Sequence, residues 1–569
     1  MASFKRRTAA AGLALGLAGA TLALSGGAAG ADRDQPHWTT VPANADARGV
    51  PVPNVLSPGF VQHAVAQGSL RLENPTADVP FYGYDGNGTP VPDPAVPQSP
   101  GHNTEASKTE PDKNTYLRLR GLHGADPNYR YGTHFLYQGH EGGTAGYITR
   151  INLDADAAHR VTLLATKQAD GTPIPTIDGS TWDPWAQKLL FTTESGGNAS
   201  VMQATPDINA TVQDVSAVTG RGGYEGIQND SDGNLWLVED VGGTTVPTAT
   251  KNPNSFVYRL VLNDKRDLKK GGKLQALQVV SRRTGQPIGF QAVDATHPTG
   301  GAFTDDTKDL TNYGPAFRTH WVTIHDTNVD TSGKPFDANA AAKAAVATPF
   351  KRPENGQFRP GTGFREFFFD ATGDTNTTST ANAGFGGWGG VYRLTQSCPG
   401  ADDGWLNVFY TGNQAHSGLD NVAFFDRDHV AFVEDDGDTA HAQRAAFDSG
   451  YLFDVTKDYS RGGDPVRFSP RGATLPRLRT TCSARPATAS RTTATTRSPE
   501  STSPTAIRVP AASSAPRYRG CSTTAGGCSG PSSTATTRPG KWYRRTTDSS
   551  RWADRSTRGQ PTGLRRTER

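Results

Sequence analysis

The sequence predicts an all-β protein, a β-propeller-like fold that is incomplete at its C-terminus. Three observations predict it. Glycine (64) and proline (39) are frequent among 569 residues and hydrophobic residues make up only 34%, which suits short strands and many turns better than long helices. A pattern of acid, apolar strand, Asp-containing turn, apolar strand and closing acid recurs along the chain. It reads DGSTWDPWAQKLLFTTE from Asp178 to Glu194, EGIQNDSDGNLWLVE from Glu225 to Glu239, and DNVAFFDRDHVAFVE from Asp420 to Glu434. Third, this patterning stops near residue 469, where the composition changes completely.

The elements follow in order. Lys5-Arg6-Arg7, the apolar run from Ala9 to Leu24 and the small residues Ala29-Gly30-Ala31 predict a signal peptide over residues 1–31. The run is too short and interrupted to span a bilayer. The protein is therefore expected to be secreted, extracellular and free of the membrane after cleavage. A propeller domain is expected over 32–468. Its first closing acid is Glu141, at the end of HFLYQGHE. The repeats at 178–194 and 225–239 follow, and a looser copy, ENGQFRPGTGFREFFFD, runs from Glu354 to Asp370. Repeats of a few short antiparallel strands are the mark of a propeller. FVYRLVL at 256–262 is expected to belong to a further unit in the gap between Glu239 and Asp370. HWVTIHDTN carries His320, His325 and Asp326, but two histidines without a third partner read as ordinary strand residues. No Gly-x-Ser-x-Gly nucleophile elbow occurs.

From 469 to 569 the chain carries 18 Arg and one Lys against four acidic residues. The preceding part is acidic, so the overall net charge of +3 hides two opposite halves. A basic arm for nucleic acid is one reading. A frameshift near residue 468 explains more: the same bases read one position earlier give DNEITG and QQHGDN, with the strand patterning that the printed tail lacks. The tail is expected to be disordered and the last strands missing. Three of the four cysteines, Cys482, Cys521 and Cys528, lie in it, so disulfides are not the main support of the fold.

In a propeller, equivalent positions of successive blades face one axis. Glu194, Glu225, Glu239, Glu354 and Glu434 are therefore expected to converge, and Glu141 and Asp178 are further candidates. Converging carboxylates repel unless cations lie between them. Ca2+ suits such a site, taking about six to eight oxygens at about 2.3–2.6 Å. Asp183, Asp232 and Asp426 read as turn formers. Arg352 stands two residues before Glu354, and strand alternation would put both on one face. An Arg beside metal-bound carboxylates suggests an anion there, and its planar fork matches phosphate. A simple Arg–Glu ion pair is the plainer reading.

HEGG, DGSTWDPWAQKLLFTTE, YEGIQNDSDGNLWLVED, KRPENGQF and LDNVAFFDRDHVAFVED, in this order, resemble the PhoX-type secreted alkaline phosphatases and their actinobacterial relatives. The resemblance spans roughly residues 60 to 468. It implies a six-bladed propeller with a calcium and iron cluster at one mouth, hydrolysing phosphomonoesters outside the cytoplasm when phosphate is scarce. It implies metal-ligand roles for Glu194, Glu225 and Glu354, a phosphate-binding, catalytic role for Arg352, and later-blade ligands at Asp420 and Glu434. Asp178 stands where the family holds a Cys that ligates iron, which argues for Ca2+ and against Fe3+. Tyr224 replaces the family's His before Glu225, and Asn198 is the candidate for its catalytic Asn. The expected function is a Ca2+-dependent phosphomonoesterase, monomeric, acting on small-molecule phosphate esters and not on nucleic acid. The alternatives are another metal-dependent propeller hydrolase, such as a lactonase, and a calcium-stabilised binding module without catalysis.

Overall fold

The computed structural model describes residues 38–470 apart from the stretches 46–54, 64, 67–69, 84–90, 93–103, 106–110, 142–145, 195–198, 248 and 375–381. The predicted signal peptide, Asn198 and the basic tail with its frameshift reading lie outside the described residues. The described residues all belong to the first of two compact units, Met1–Cys521.

Among the described residues, five four-stranded antiparallel blades follow one another along the chain. Blade 1 comprises β1 (Asn114–Arg118), β2 (His134–Gly139), β3 (Ile148–Asn152) and β4 (Val161–Ala165). Blade 2 comprises β5 (Ile177–Asp183), β6 (Lys188–Thr193), β7 (Val201–Ala204) and β8 (Val212–Asp214). Blade 3 comprises β9 (Tyr224–Asn229), β10 (Leu235–Glu239), β11 (Val257–Leu262) and β12 (Gly272–Val279). The strand β13 (Phe317–Asp326) follows. Blade 4 comprises β14 (Gly356–Phe358), β15 (Glu366–Ala371), β16 (Gly390–Gln396) and β17 (Asp403–Thr411). Blade 5 comprises β18 (Leu419–Phe424), β19 (His429–Glu434), β20 (Ser449–Asp454) and β21 (Val466–Pro470). The fold is all-β and propeller-like, as the repeats predict.

One expectation is corrected. The run at 256–262 does not open a further unit. It is the third strand of blade 3, paired directly with β10 through Leu235↔Leu260. The long gap before Asp370 is filled instead by β12 and β13. The latter pairs with β12 on one side and with β17 on the other, fusing blades 3 and 4 into a nine-stranded sheet.

The blades stack face to face, so both faces of a middle strand are buried. In β10, Leu235 and Leu237 enter the core shared with blade 2, while Trp236 and Val238 enter the core shared with blade 4. In β15, Phe367 and Phe369 point one way and Phe368 the other. Strands buried on both faces read as unbroken apolar runs, hence LWLV and FFF. Each such side chain contributes about 1.5–3 kcal/mol. Trp236, set edge-on to Trp321 and Phe358, is the largest of the fully buried side chains, and its truncation to Ala is expected to cost about 3–5 kcal/mol.

The N-terminal segment covers edges. Leu72, Val79 and Tyr82 lie over the outer face of blade 1, against Leu136, Ile151 and Leu163. Further upstream, Val41 N donates to Arg467 O (2.9 Å) and Ser57 N to Phe468 O (2.7 Å), so the chain runs along β21. Covering an exposed edge removes a template for aggregation. Among the described residues no helix is long and apolar enough to cross a membrane.

Candidate metal centre

The site is built from one local device used repeatedly. In blades 2, 3 and 5 the first hairpin slips register by one residue. The pairing moves from Ile177↔Thr193 to Ser180↔Phe191, from Tyr224↔Glu239 to Ile227↔Leu237, and from Leu419↔Glu434 to Val422↔Phe432. The extra residues are Asp178-Gly179, Glu225-Gly226 and Asp420-Asn421. A β-bulge re-aims a side chain, and here it turns the acid away from the hairpin toward its counterparts. In blade 4 the pair Glu354-Asn355 immediately precedes β14, and in blade 1 Asp112-Lys113 immediately precedes β1. The two glycines are required by close approach. A Cβ on Gly179 would lie 1.9 Å from the Glu225 carbonyl oxygen, and one on Gly226 would lie 2.9 Å from Asn355 Cα.

The acids meet as three linked groups. Carboxylate oxygens lie within 4.8 Å of one another in Asp112–Glu141–Asp178, in Asp178–Glu194–Glu225, and in Glu225–Glu354–Asp420. Asp178 and Glu225 each belong to two groups, so the seven residues form one continuous arc. Asp112, Asp178, Glu225, Glu354 and Asp420 are buried; Glu141 and Glu194 are partly exposed. Among the described residues, no donor other than a neighbouring carboxyl reaches either oxygen of Asp178 or Oε2 of Glu225. Burial, then Glu194 and Glu141, hold the Asp178 carboxyl well above its usual range. Burial and Asp178 do the same to Glu225, and burial and Glu354 to Asp420. A buried carboxylate without donors or a counter-charge costs several kcal/mol, roughly, and unlike charges are what offset it.

Two cationic side chains border the arc. Arg352 Nε donates to Asp240 Oδ2 (2.7 Å) and Nη2 to Glu354 Oε1 (3.2 Å). The Thr372 hydroxyl also donates to Glu354. Arg352 and Glu354 therefore meet, but not by strand alternation: Arg352 lies outside the strands with a left-handed φ of 52°, held by Thr372 N donating to Arg352 O (2.8 Å). Its neighbour Lys351 turns away, and its Nζ donates to Thr250 Oγ1 (3.0 Å) and Phe385 O (2.8 Å) and approaches Asp374 Oδ2 (3.3 Å). The second border cation is Lys113, whose Nζ donates to Asn355 Oδ1 (3.0 Å).

Of the residues singled out in the sequence, the structure brings together Glu141, Asp178, Glu194, Glu225, Glu354 and Asp420, with Arg352 beside Glu354. It does not bring Glu239 or Glu434 to them. Glu239 Oε2 accepts from Phe256 N (3.0 Å), Tyr258 Oη (2.8 Å) and Asn339 Nδ2 (3.0 Å). Glu434 accepts from Arg444 Nη1 and Nη2 (2.7 Å each), Ser417 N (3.0 Å) and Ser449 N (2.8 Å). These two are the partners of the residues just before the bulge, Tyr224 and Leu419, and take donors there, Glu434 at both oxygens and Glu239 at Oε2 only. Asp183 and Asp426 cap their turns through backbone amides; in blade 3 Asp230, not Asp232, does so. His320 meets exposed Asp403 and His325 stacks on Phe336, in separate places.

Sequence reasoning missed Asp112, Lys113, Asn355 and Asn421. A signal for Asp112 existed. It precedes the strand NTYLR, whose hairpin closes at Glu141, which is the same repeat with a longer turn.

The donor set of the arc is oxygen only. Hard divalent cations fit it, and the orphaned oxygens of Asp178 mark where positive charge is called for. A thiolate-bound iron does not fit. Cys398, the one cysteine among the described residues, is disulfide-bonded and sits between β16 and β17, at the end of blade 4 opposite Glu354.

No protein-family model matches the chain, and no curated protein matches it significantly. Among solved structures, Pseudomonas fluorescens PhoX in complex with vanadate, a transition state analogue, is similar with a TM-score of 0.47 at 12% identity, covering 76% of this chain and 89% of that one. The PQQ-bound aldose sugar dehydrogenase of Streptomyces coelicolor gives a TM-score of 0.22 at 12% identity, covering 58% and 90%. An inactive virginiamycin B lyase from Staphylococcus aureus with quinupristin gives 0.21 at 16%, covering 56% and 95%. At such scores these likenesses assign no activity. What the fold and the site define is a class: a propeller-like all-β protein with a buried arc of carboxylates.

Proposed function

We propose that this chain is a divalent-cation-dependent hydrolase of phosphomonoesters, with Ca2+ as the cation. The observation that carries the reading is Asp178: fully buried, reached among the described residues by no donor other than a neighbouring carboxyl, and shared by two of the three carboxylate groups. Asp112, Glu141, Asp178, Glu194, Glu225, Glu354 and Asp420 would hold the cations. Bound divalent cations supply Lewis acidity toward phosphoryl oxygens and acidify bound water.

The remaining roles belong to the chain itself. Arg352, its side chain 22% exposed, presents a planar fork at the edge of the arc that suits phosphoryl oxygens and charge developing on them. Asp240 and Glu354 fix its orientation. The order of the KRPENGQF and YEGIQNDSDGNLWLVED motifs, which resembles PhoX-type phosphatases, supports the same assignment. Export by the segment 1–31 would place the activity outside the cell, on small phosphate esters, and a monomer suffices because all seven acids come from one chain.

The test is hydrolysis of p-nitrophenyl phosphate by the full chain. Activity abolished by EDTA and restored by Ca2+ is expected. Arg352→Met is expected to lower kcat about 10²–10³-fold while Ca2+ binding persists. Turnover of lactones without phosphates, or Ca2+-dependent melting without any hydrolysis, would overturn the phosphatase reading in favour of another hydrolase or a binding module.

A further inference from the structure

Asp112, Asp178, Glu225, Glu354 and Asp420 are each followed by a residue held close to another blade. In blades 2 and 3 it is glycine, for the steric reason given above. In blades 1, 4 and 5 it is polar: Lys113, Asn355 and Asn421. These three bond across blades. Lys113 Nζ, from blade 1, donates to Asn355 Oδ1 of blade 4 over 3.0 Å. Asn355 Nδ2 in turn faces Asp420 Oδ1 at 3.5 Å, the long limit of a hydrogen bond. Asn421 Nδ2 of blade 5 donates to Asp112 Oδ1 of blade 1 at 2.6 Å.

An ammonium has donors only, whereas a carboxamide has an oxygen and an NH2. Lys113 therefore dictates which way Asn355 faces. Its oxygen turns to the ammonium, and its NH2 is left for Asp420. The backbone of Asn355 is anchored separately, its N–H donating to Asp370 Oδ1 (2.9 Å) and its carbonyl accepting from Asp370 N (3.1 Å). The side chain can thus be replaced without releasing the strand. Lys113 is 7% exposed and Asn355 fully buried, so neither is a solvated surface group.

We propose that Lys113 is a positioning residue of the carboxylate arc: acting through the Asn355 amide, it aims Asp420 into the Glu225–Glu354–Asp420 group, while Asn421 aims Asp112 at the other end. The two ends of the arc are thereby braced against each other: the neighbour of each end acid orients the acid at the other end. This inference rests on the reading of the arc as a cation site.

The experiment is Ca2+ titration by calorimetry of the full chain, with Tb3+ luminescence lifetimes in H2O and D2O to count bound water. Lys113→Met and Asn355→Leu are each expected to weaken one class of Ca2+ site at least tenfold, leave the others unchanged, and add bound water at Tb3+. Both are expected to keep the wild-type melting temperature in EDTA, which a merely structural role would lower. Asn421→Leu is expected to weaken a different class. Unchanged Ca2+ affinities and Tb3+ hydration in both Lys113→Met and Asn355→Leu overturn the proposal. A loss in Lys113→Met that Asn355→Leu does not share overturns the amide relay. Wild-type protein that binds no Ca2+ overturns the cation reading itself, and with it this inference.

Discussion

The opening and the closing acids of a repeat look alike in sequence and meet opposite fates. Asp178, Glu225 and Asp420 open their repeats, sit in bulges, and share a buried space with other carboxylates. Glu239 and Glu434 close theirs and take donors outside that space: Glu239 at Oε2 alone, from Tyr258, Asn339 and a backbone amide, and Glu434 at both oxygens, from Arg444, Ser417 and Ser449. Periodicity alone does not separate a ligand from a structural acid; the local supply of donors does. In blades 2, 3 and 5 a one-residue register slip sets the opening acid apart from that supply.

The sharpest way to break this contrast is chelation. Removing cations from the arc is expected to lower stability by about 4 kcal/mol for each ion held at a thousandfold excess over its Kd, read as a drop in Tm that Ca2+ reverses. An unchanged Tm would put the arc in the same category as the closing acids. Next in size is Glu434→Gln, which leaves a buried Arg444 short of its main partner. A loss of about 3 kcal/mol is expected, equal in Ca2+ and in EDTA; a loss confined to Ca2+ would make Glu434 a ligand after all. Asp178→Asn is expected to do the reverse, stabilising the EDTA-treated protein by about 1–2 kcal/mol, because the amide removes the cost of keeping this carboxyl protonated or charged among its neighbours, and abolishing the effect of Ca2+ on Tm.

Taken per pH unit, the smallest effect is a pH dependence. Burial pushes the Glu239 carboxyl up to about 8, so between the ordinary carboxylate range and pH 8 the folded protein keeps a proton that the unfolded chain has released. Stability is therefore present at low pH and declines as pH rises through this window, by at most about 1.4 kcal/mol per unit. Glu239→Gln is expected to flatten the Tm profile between pH 5 and 8. An unaltered slope would assign the decline to the arc.

Much of this was legible in the residues. The hairpins showed because each carries an acid, a turn and a second strand, and the apolar runs LWLV and FFF are what double-sided packing demands. Of the seven arc acids, Glu141, Asp178, Glu194, Glu225, Glu354 and Asp420 were legible, because acids recur at the ends of the repeat. The bulges were not, because a one-residue slip leaves no mark on strand composition. Nor was the release of Glu239, since Tyr258 and Asn339 become its donors only after folding. Asp112 was hidden by the long turn between its two strands, and FVYRLVL looked like a new unit because a third strand carries no acid to number it by.

Val41 pairs with a strand that leaves the translation machinery more than four hundred residues later: Arg467 Nη1 approaches Val41 O across a sequence separation of 426. Contacts this distant in sequence slow folding, because the chain must wait to close so large a loop. The leading segment stays undocked until almost the whole domain exists. The residues around Val41 are thereby seated last, after the strand they border has formed.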